Sequence, residues 1–255
     1  MLKINVNPAM TFDALNEKIR ESNEKHIQIN DCTGQRYIGA GLAGRQIDIE
    51  GTPGNALGAY LNGSVITVQG NVQDATGDTM NGGEIVVYGS AGDATGYAMR
   101  GGAIYIRGNT GYRAGIHMKA YKDQQPAVVI GGEAGCFLGE YQAGGTIIVL
   151  CLDLPKYVDG HRTKGSPEKR PDIGSFVGTG MHGGAIYIRT DKAPDVPQQI
   201  NVEMKNGADI PAITEYVKRF CTLFDDVNYD EIINSKYAVL TPNTLSPYKQ
   251  LYTQN

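Results

Sequence analysis

The chain has 255 residues, 34 of them glycine, no tryptophan and a formal net charge of −4. The acidic balance leaves no basic footprint for nucleic acid, no run of about 18 apolar residues offers a membrane span, and MLKINVNPAM lacks the apolar centre of a signal peptide. An intracellular, cytoplasmic protein is expected, in which the four scattered cysteines (Cys32, Cys136, Cys151, Cys221) act as small buried apolar groups, not as a disulfide, zinc or iron–sulfur framework.

The first predicted element is a short helix in TFDALNEKIR. It puts Phe12, Leu15 and Ile19 on one face with Thr11 as N-cap, within an N-terminal cap spanning 1–26. A repeat follows over 27–192. The heptapeptide GGAIYIR occurs at 101–107 and again at 183–189. The aliphatic runs end at 51, 70, 89, 108, 132, 151 and 190, in steps of 19, 19, 19, 24, 19 and 39, so the two copies are rungs of one 19-residue ladder with two insertions.

The columns of that ladder are regular. One reads Gly39, Gly58, Gly77, Gly96, Gly115, Gly139 and Gly178, as expected for structural corner positions that need positive φ or close backbone approach. Two others are wholly aliphatic: Ile47, Ile66, Ile85, Ile104, Val128, Ile147, Ile186, and, two residues on, Ile49, Val68, Val87, Ile106, Ile130, Val149, Ile188. Side chains two apart share one face of a strand. A strand of five or six residues cannot bury that face alone, so each strand is expected to lie parallel on its predecessor. The predicted fold is an all-β solenoid, a single-stranded right-handed parallel β-helix of seven to eight coils with short α-helical caps at both ends. The eighth coil would lie around Ile27 and Ile29.

A 20-residue polar insertion, 152–171, reads as a surface loop or a docking loop. From 193 to 255 glycine nearly vanishes. PAITEYVKRFCTLF aligns Ile213, Tyr216, Val217, Phe220 and Phe224 on one stripe behind Pro211, a short helix is predicted near 230–236, and an extended tail follows. These elements read as a helical cap and strap, or as a partner-binding arm.

Chemistry is harder to find. GSAGDATG and GNTGYRAG suggest phosphate loops, but no GK[ST] or helix follows them. His26, His117, His161 and His182 show no metal-ligand spacing. Asp74 and Asp93 share a column and could form the carboxylate pair of a carbohydrate-active enzyme. GYRAGIHMK gathers Arg113, His117 and Lys119 beside a corner, and the outward strand column turns apolar at Val86, Tyr105, Val129, Ile148 and Tyr187. Tyr105, Arg113, His117, Lys119 and Tyr187 are therefore the candidate interaction surface. The chain's own C-terminal helices or another subunit would cover the apolar column.

Corners followed by GG-x-I-x-V/I-x-G, as in GDTMNGGEIVVYG and GYAMRGGAIYIRG, resemble the GXGXG domain. That domain forms the C-terminal part of the large (α) subunit of glutamate synthase, and a related β-helix occurs in one of the subunits of formylmethanofuran dehydrogenase. GYRAGIHMK, FLGEYQAGG and GTGMHGG are most similar to free-standing archaeal and anaerobe versions. The resemblance implies a non-catalytic scaffold that holds the glutaminase and FMN-dependent synthase subunits of a split glutamate synthase in register, with a homo-oligomer left open. FMN and iron–sulfur would reside in those partners and no cofactor in this chain. The glutaminase's N-terminal cysteine has no counterpart in Met1-Leu2, so no catalytic, cofactor or metal residue is carried over. Two alternatives stand beside it: a scaffold like the β-helical subunit of a formylmethanofuran dehydrogenase-type complex, and an independent carbohydrate-active enzyme.

Overall fold

The protein is described from a computed structural model covering residues 1–152, 156–158, 161–163 and 173–243. In chain order the elements are β1 (Leu2–Asn5), α1 (Phe12–Glu21), β2 (His26–Thr33), β3 (Gln46–Thr52), β4 (Asn62–Gln69), β5 (Gly82–Val87), β6 (Ala103–Ile106), β7 (Ala127–Ile130) and β8 (Ala143–Val149). There follow β9 (Lys156–Val158), β10 (His161–Thr163), β11 (Gly183–Arg189), β12 (Ile200–Asn206), a 3-10 turn (Gly207–Asp209), α2 (Pro211–Leu223), α3 (Tyr229–Ile233) and β13 (Lys236–Pro242). Most of the predicted insertion at 152–171 and the tail beyond Asn243 lie outside the described residues.

The 19-residue step appears directly as strand register. Ile27 pairs with Ile47, then Ile66, Ile85, Ile104, Val128, Ile147 and Ile186, all in parallel. Each of these inward side chains is fully buried, as are those of the column two residues on, apart from the nearly buried Ile188. Burying one such side chain stabilises the fold by about 1.5–3 kcal/mol, so the columns form its main apolar core. A second line of parallel bridges runs through Val72, Ala91, Thr110, Ala134 and Ile173. Corner amides continue the ladder: Gly58 N donates to Ile38 O at 2.8 Å and Gly77 N to Leu57 O at 2.8 Å.

The architecture expected from the sequence, an all-β single-stranded right-handed parallel β-helix, is corrected. Among the described residues the molecule is an α/β arrangement built on one mixed, mostly parallel sheet of 11 strands, ordered β1-β2-β3-β4-β5-β6-β7-β8-β11-β13-β12, with three α-helices. Two observations carry the correction. β13 enters antiparallel between β11 and β12, with Ile186 opposite Leu240 and Val202 opposite Leu240 on the other side. And α2 does not close an end, as a cap would; it lies along the outward face of the strands. Its Ile213, Val217 and Phe220, with Phe224 just after its last turn, form a second core with Val86, Tyr105, Val129, Ile148 and Tyr187. The physical cause is the apolar outward column, which an end cap would leave bare to water.

Polar contacts fix α2 and the turn after it across several strands. Arg219 forks onto Glu84 (Nη2–Oε1 2.6 Å), Tyr88 Oη donates to Leu223 O at 3.1 Å, and Arg107 pairs with Asp226. The hydrogen bond and charge of Glu84 raise the pKa of Arg219, and burial beside Glu84 raises that of Tyr105. At the other terminus α1 begins as expected, Thr11 Oγ1 accepting from Ala14 N at 3.2 Å, and buries Leu15 and Ile19.

Candidate interaction surface

Each corner follows one backbone pattern. Positive φ alternates with negative φ around the corner glycine, as at Arg113 (+60°), Gly115 (+69°) and His117 (+55°), or Phe137 (+63°), Gly139 (+64°) and Tyr141 (+53°). At six of the seven corner glycines a Cβ would run into the strand residue of a following repeat, and at Gly178 into Ile200 of β12: at Gly58 it would stand 2.6 Å from Ile85 Cδ1, and at Gly139 2.6 Å from Ile186 Cδ1. The flanking non-glycine residues carry strain of order 1 kcal/mol each. They are held there by cross-repeat bonds such as Arg113 N to Cys136 O and His117 N to Glu140 O, both 2.9 Å. Because alanines adopt the same φ at 56, 75 and 94, the geometry belongs to the repeat and only the side chains differ.

In the later repeats these positions carry large side chains at Arg113, His117, Phe137, Tyr141 and Phe176, and Tyr97 stands next to the corner glycine Gly96. His117 stacks on Tyr141 with centroids 5.1 Å apart and planes 11° from parallel, and Tyr97 meets His117 edge-on at 5.9 Å. Alongside, Arg113 lies 4.7 Å over the ring of Phe137, which stacks on Phe176 at 5.0 Å, and Arg113 Nε donates to Glu140 Oε2 at 3.0 Å. Tyr97, Tyr112, Tyr141 and Phe176 remain 39%, 53%, 46% and 58% exposed. Two aromatic files thus run side by side along one edge of the molecule.

Of the residues singled out from sequence, Arg113 and His117 join this edge and Lys119 is exposed two residues beyond His117. Tyr105 and Tyr187 stand elsewhere: at 3% and 8% exposure they lie in the core beneath α2, so the chain itself covers them. Tyr97, Phe137, Tyr141 and Phe176 were missed. Their signal was position relative to the corner glycine, in columns whose residue type changes from repeat to repeat.

The carboxylates have a different task. Asp74 Oδ1 accepts from Asp93 N at 2.9 Å and Asp93 Oδ1 from Tyr112 N at 2.8 Å, each satisfying an amide of the next repeat. Asn71, Ser90 and Asn109 do the same in a parallel line. Among the described residues no three His, Cys, Asp or Glu side chains group as a metal site, and no helix is long and apolar enough to cross a membrane. A cavity of about 210 Å³ lies between α1 and the first corner, lined by residues that include Phe12, Asn16, Ile19, Tyr37 and Leu42.

The family model of the GXGXG motif matches residues 16–243. The chain belongs to the GXGXG family. An uncharacterized protein of Methanocaldococcus jannaschii is 42% identical over 259 residues, spanning 96% of this chain and 94% of its own. Among solved structures, the formyltransferase/hydrolase complex of Methylorubrum extorquens, crystallised with methylofuran, contains a chain that superposes with a TM-score of 0.62 at 19% identity. The match covers 87% of the GXGXG chain described here and 75% of that chain, and at this identity the likeness is one of fold.

Proposed function

We propose that this GXGXG protein is a non-catalytic structural subunit of an enzyme assembly, and that its partners are of the formyltransferase/hydrolase kind. One observation carries the reading: the ordered aromatic edge, rigidly set by strained corners and left open to solvent, is built as a contact surface and not as a cleft for a reactant. The fold it shares with a chain of a formyltransferase/hydrolase complex supports the choice of partners. The glutaminase and FMN-dependent synthase partners rest on the sequence resemblance and are the second reading. Asp74 and Asp93, engaged with backbone amides, speak against the carbohydrate-active alternative. The test is native purification of the tagged chain from its own cells, followed by intact-complex mass spectrometry. Formyltransferase- or hydrolase-type subunits are expected. Glutaminase and synthase subunits would shift the reading to the second, and a chain found only with copies of itself would defeat both.

A further inference from the structure

Two cations and a histidine border the aromatic edge. Arg100, Lys119, Ala143 and His182 hold one position on successive repeats, their amides donating to Met80 O, Met99 O, Met118 O and Gln142 O at 2.8–2.9 Å. At the spacing of neighbouring strands, about 4.8 Å, Arg100 and Lys119 stand directly side by side. Both are exposed, and neither makes an ion pair or side-chain hydrogen bond among the described residues. The five extra residues that lengthen this repeat fold the loop back so that Gln124 covers Gly101, and add Lys122 over the Tyr121 ring with Asp123 beside it. The exposed hydroxyls of Tyr97 and Tyr141 have no partner among the described residues either.

Unpaired cations lined up on a chain whose net charge is −4 call for a ligand that brings carboxylates or phosphates. The balance of charge decides between them. Two cations on a chain of net charge −4 suit a short acidic segment, whereas the long polyanionic backbone of a nucleic acid would meet a net repulsion. We infer that the edge formed by Tyr97, Arg100, His117, Lys119, Tyr141 and His182 docks an acidic segment of a partner subunit. Its carboxylates pair with Arg100 and Lys119 and accept from the tyrosine hydroxyls. This rests on the structural-subunit reading above.

The experiment uses the native complex purified from the source cells. It is treated with a carbodiimide, which joins an amine to a carboxylate only at contact distance. A cross-link between Lys119 and an aspartate or glutamate of a partner subunit is expected. In parallel, R100E/K119E should lower partner recovery about tenfold, since like charges now face each other. R100K/K119R and the control K18E/K25E should retain it, and a matching thermal midpoint shows that the variant is folded. A complex recovered undiminished from R100E/K119E, or a partner released by nuclease, overturns the docking edge while leaving the subunit reading intact. Recovery of no complex from the unmodified chain overturns both.

Discussion

At a corner glycine two demands coincide, a left-handed backbone and the absence of a Cβ, and they can be separated by substitution. Gly41 has φ +67° with open space around its missing Cβ, whereas at Gly58 (φ +64°) the Cβ would press on Ile85 and Ile66. Gly41→Ala should cost about 1 kcal/mol, for backbone strain alone. Gly58→Ala should cost about 2–3 kcal/mol, because the buried isoleucines must also shift. Urea unfolding of both variants checks this, and equal losses would show that space does not matter there. Burial likewise pushes the Cys32 thiol from 9.0 to about 11. The folded chain then keeps a proton that the unfolded chain releases, so its contribution is full below pH 9 and lost as pH rises through 11, by about 2–3 kcal/mol. Cys32→Ala should flatten the fall in stability over that window; an unchanged slope would refute the assignment. Single residues were read well from sequence where a column repeats one chemical type, as the isoleucines do. They were read poorly where neighbours in a column differ, as Tyr141 and His117 do, because their relation is a contact between repeats and not a pattern within one.

Among the elements, α2 shows how far helical periodicity reaches. Of the stripe Ile213, Tyr216, Val217, Phe220 and Phe224 that the sequence made legible, Tyr216 is half-buried and the other four are buried. Where the stripe would dock was not legible, since an apolar face specifies burial without naming its partner. The strands β12 and β13 escaped notice because KYAVLTP and INVEMKN lack the corner glycines that mark the others, and pairing between segments far apart leaves no local trace. Docking of α2 should depend on its apolar side and little on its charges. Phe220→Ala empties a fully buried site against Gly131 and should cost about 3–5 kcal/mol. Glu84→Gln weakens a partly exposed ion pair with Arg219 and should cost less than about 1 kcal/mol. Calorimetric midpoints of the two variants give the comparison, and a larger loss for Glu84→Gln would reverse the argument.

For the molecule as a whole, the second core means that the repeat region is not self-sufficient. A chain ending at Thr190 would uncover Val86, Tyr105, Val129, Ile148 and Tyr187 on adjoining strands, together with the free edge of β11. It should self-associate, visible as a high-mass species in size-exclusion chromatography with light scattering, where the full chain elutes discretely. A discrete, soluble truncated species would show that α2 is dispensable. Repeating units of this sort can change number by duplication or loss, since each touches mainly its neighbours. The helical segment removes that freedom from part of the chain. It is anchored at Glu84 and Tyr88, at Arg107, and again at Arg189, whose Nε donates to Ser235 Oγ at 2.8 Å. Gaining or dropping a unit anywhere from β5 to β11 would throw those anchors out of step by one strand spacing. Relatives that differ in unit count should therefore differ among β2–β4, ahead of the first anchor.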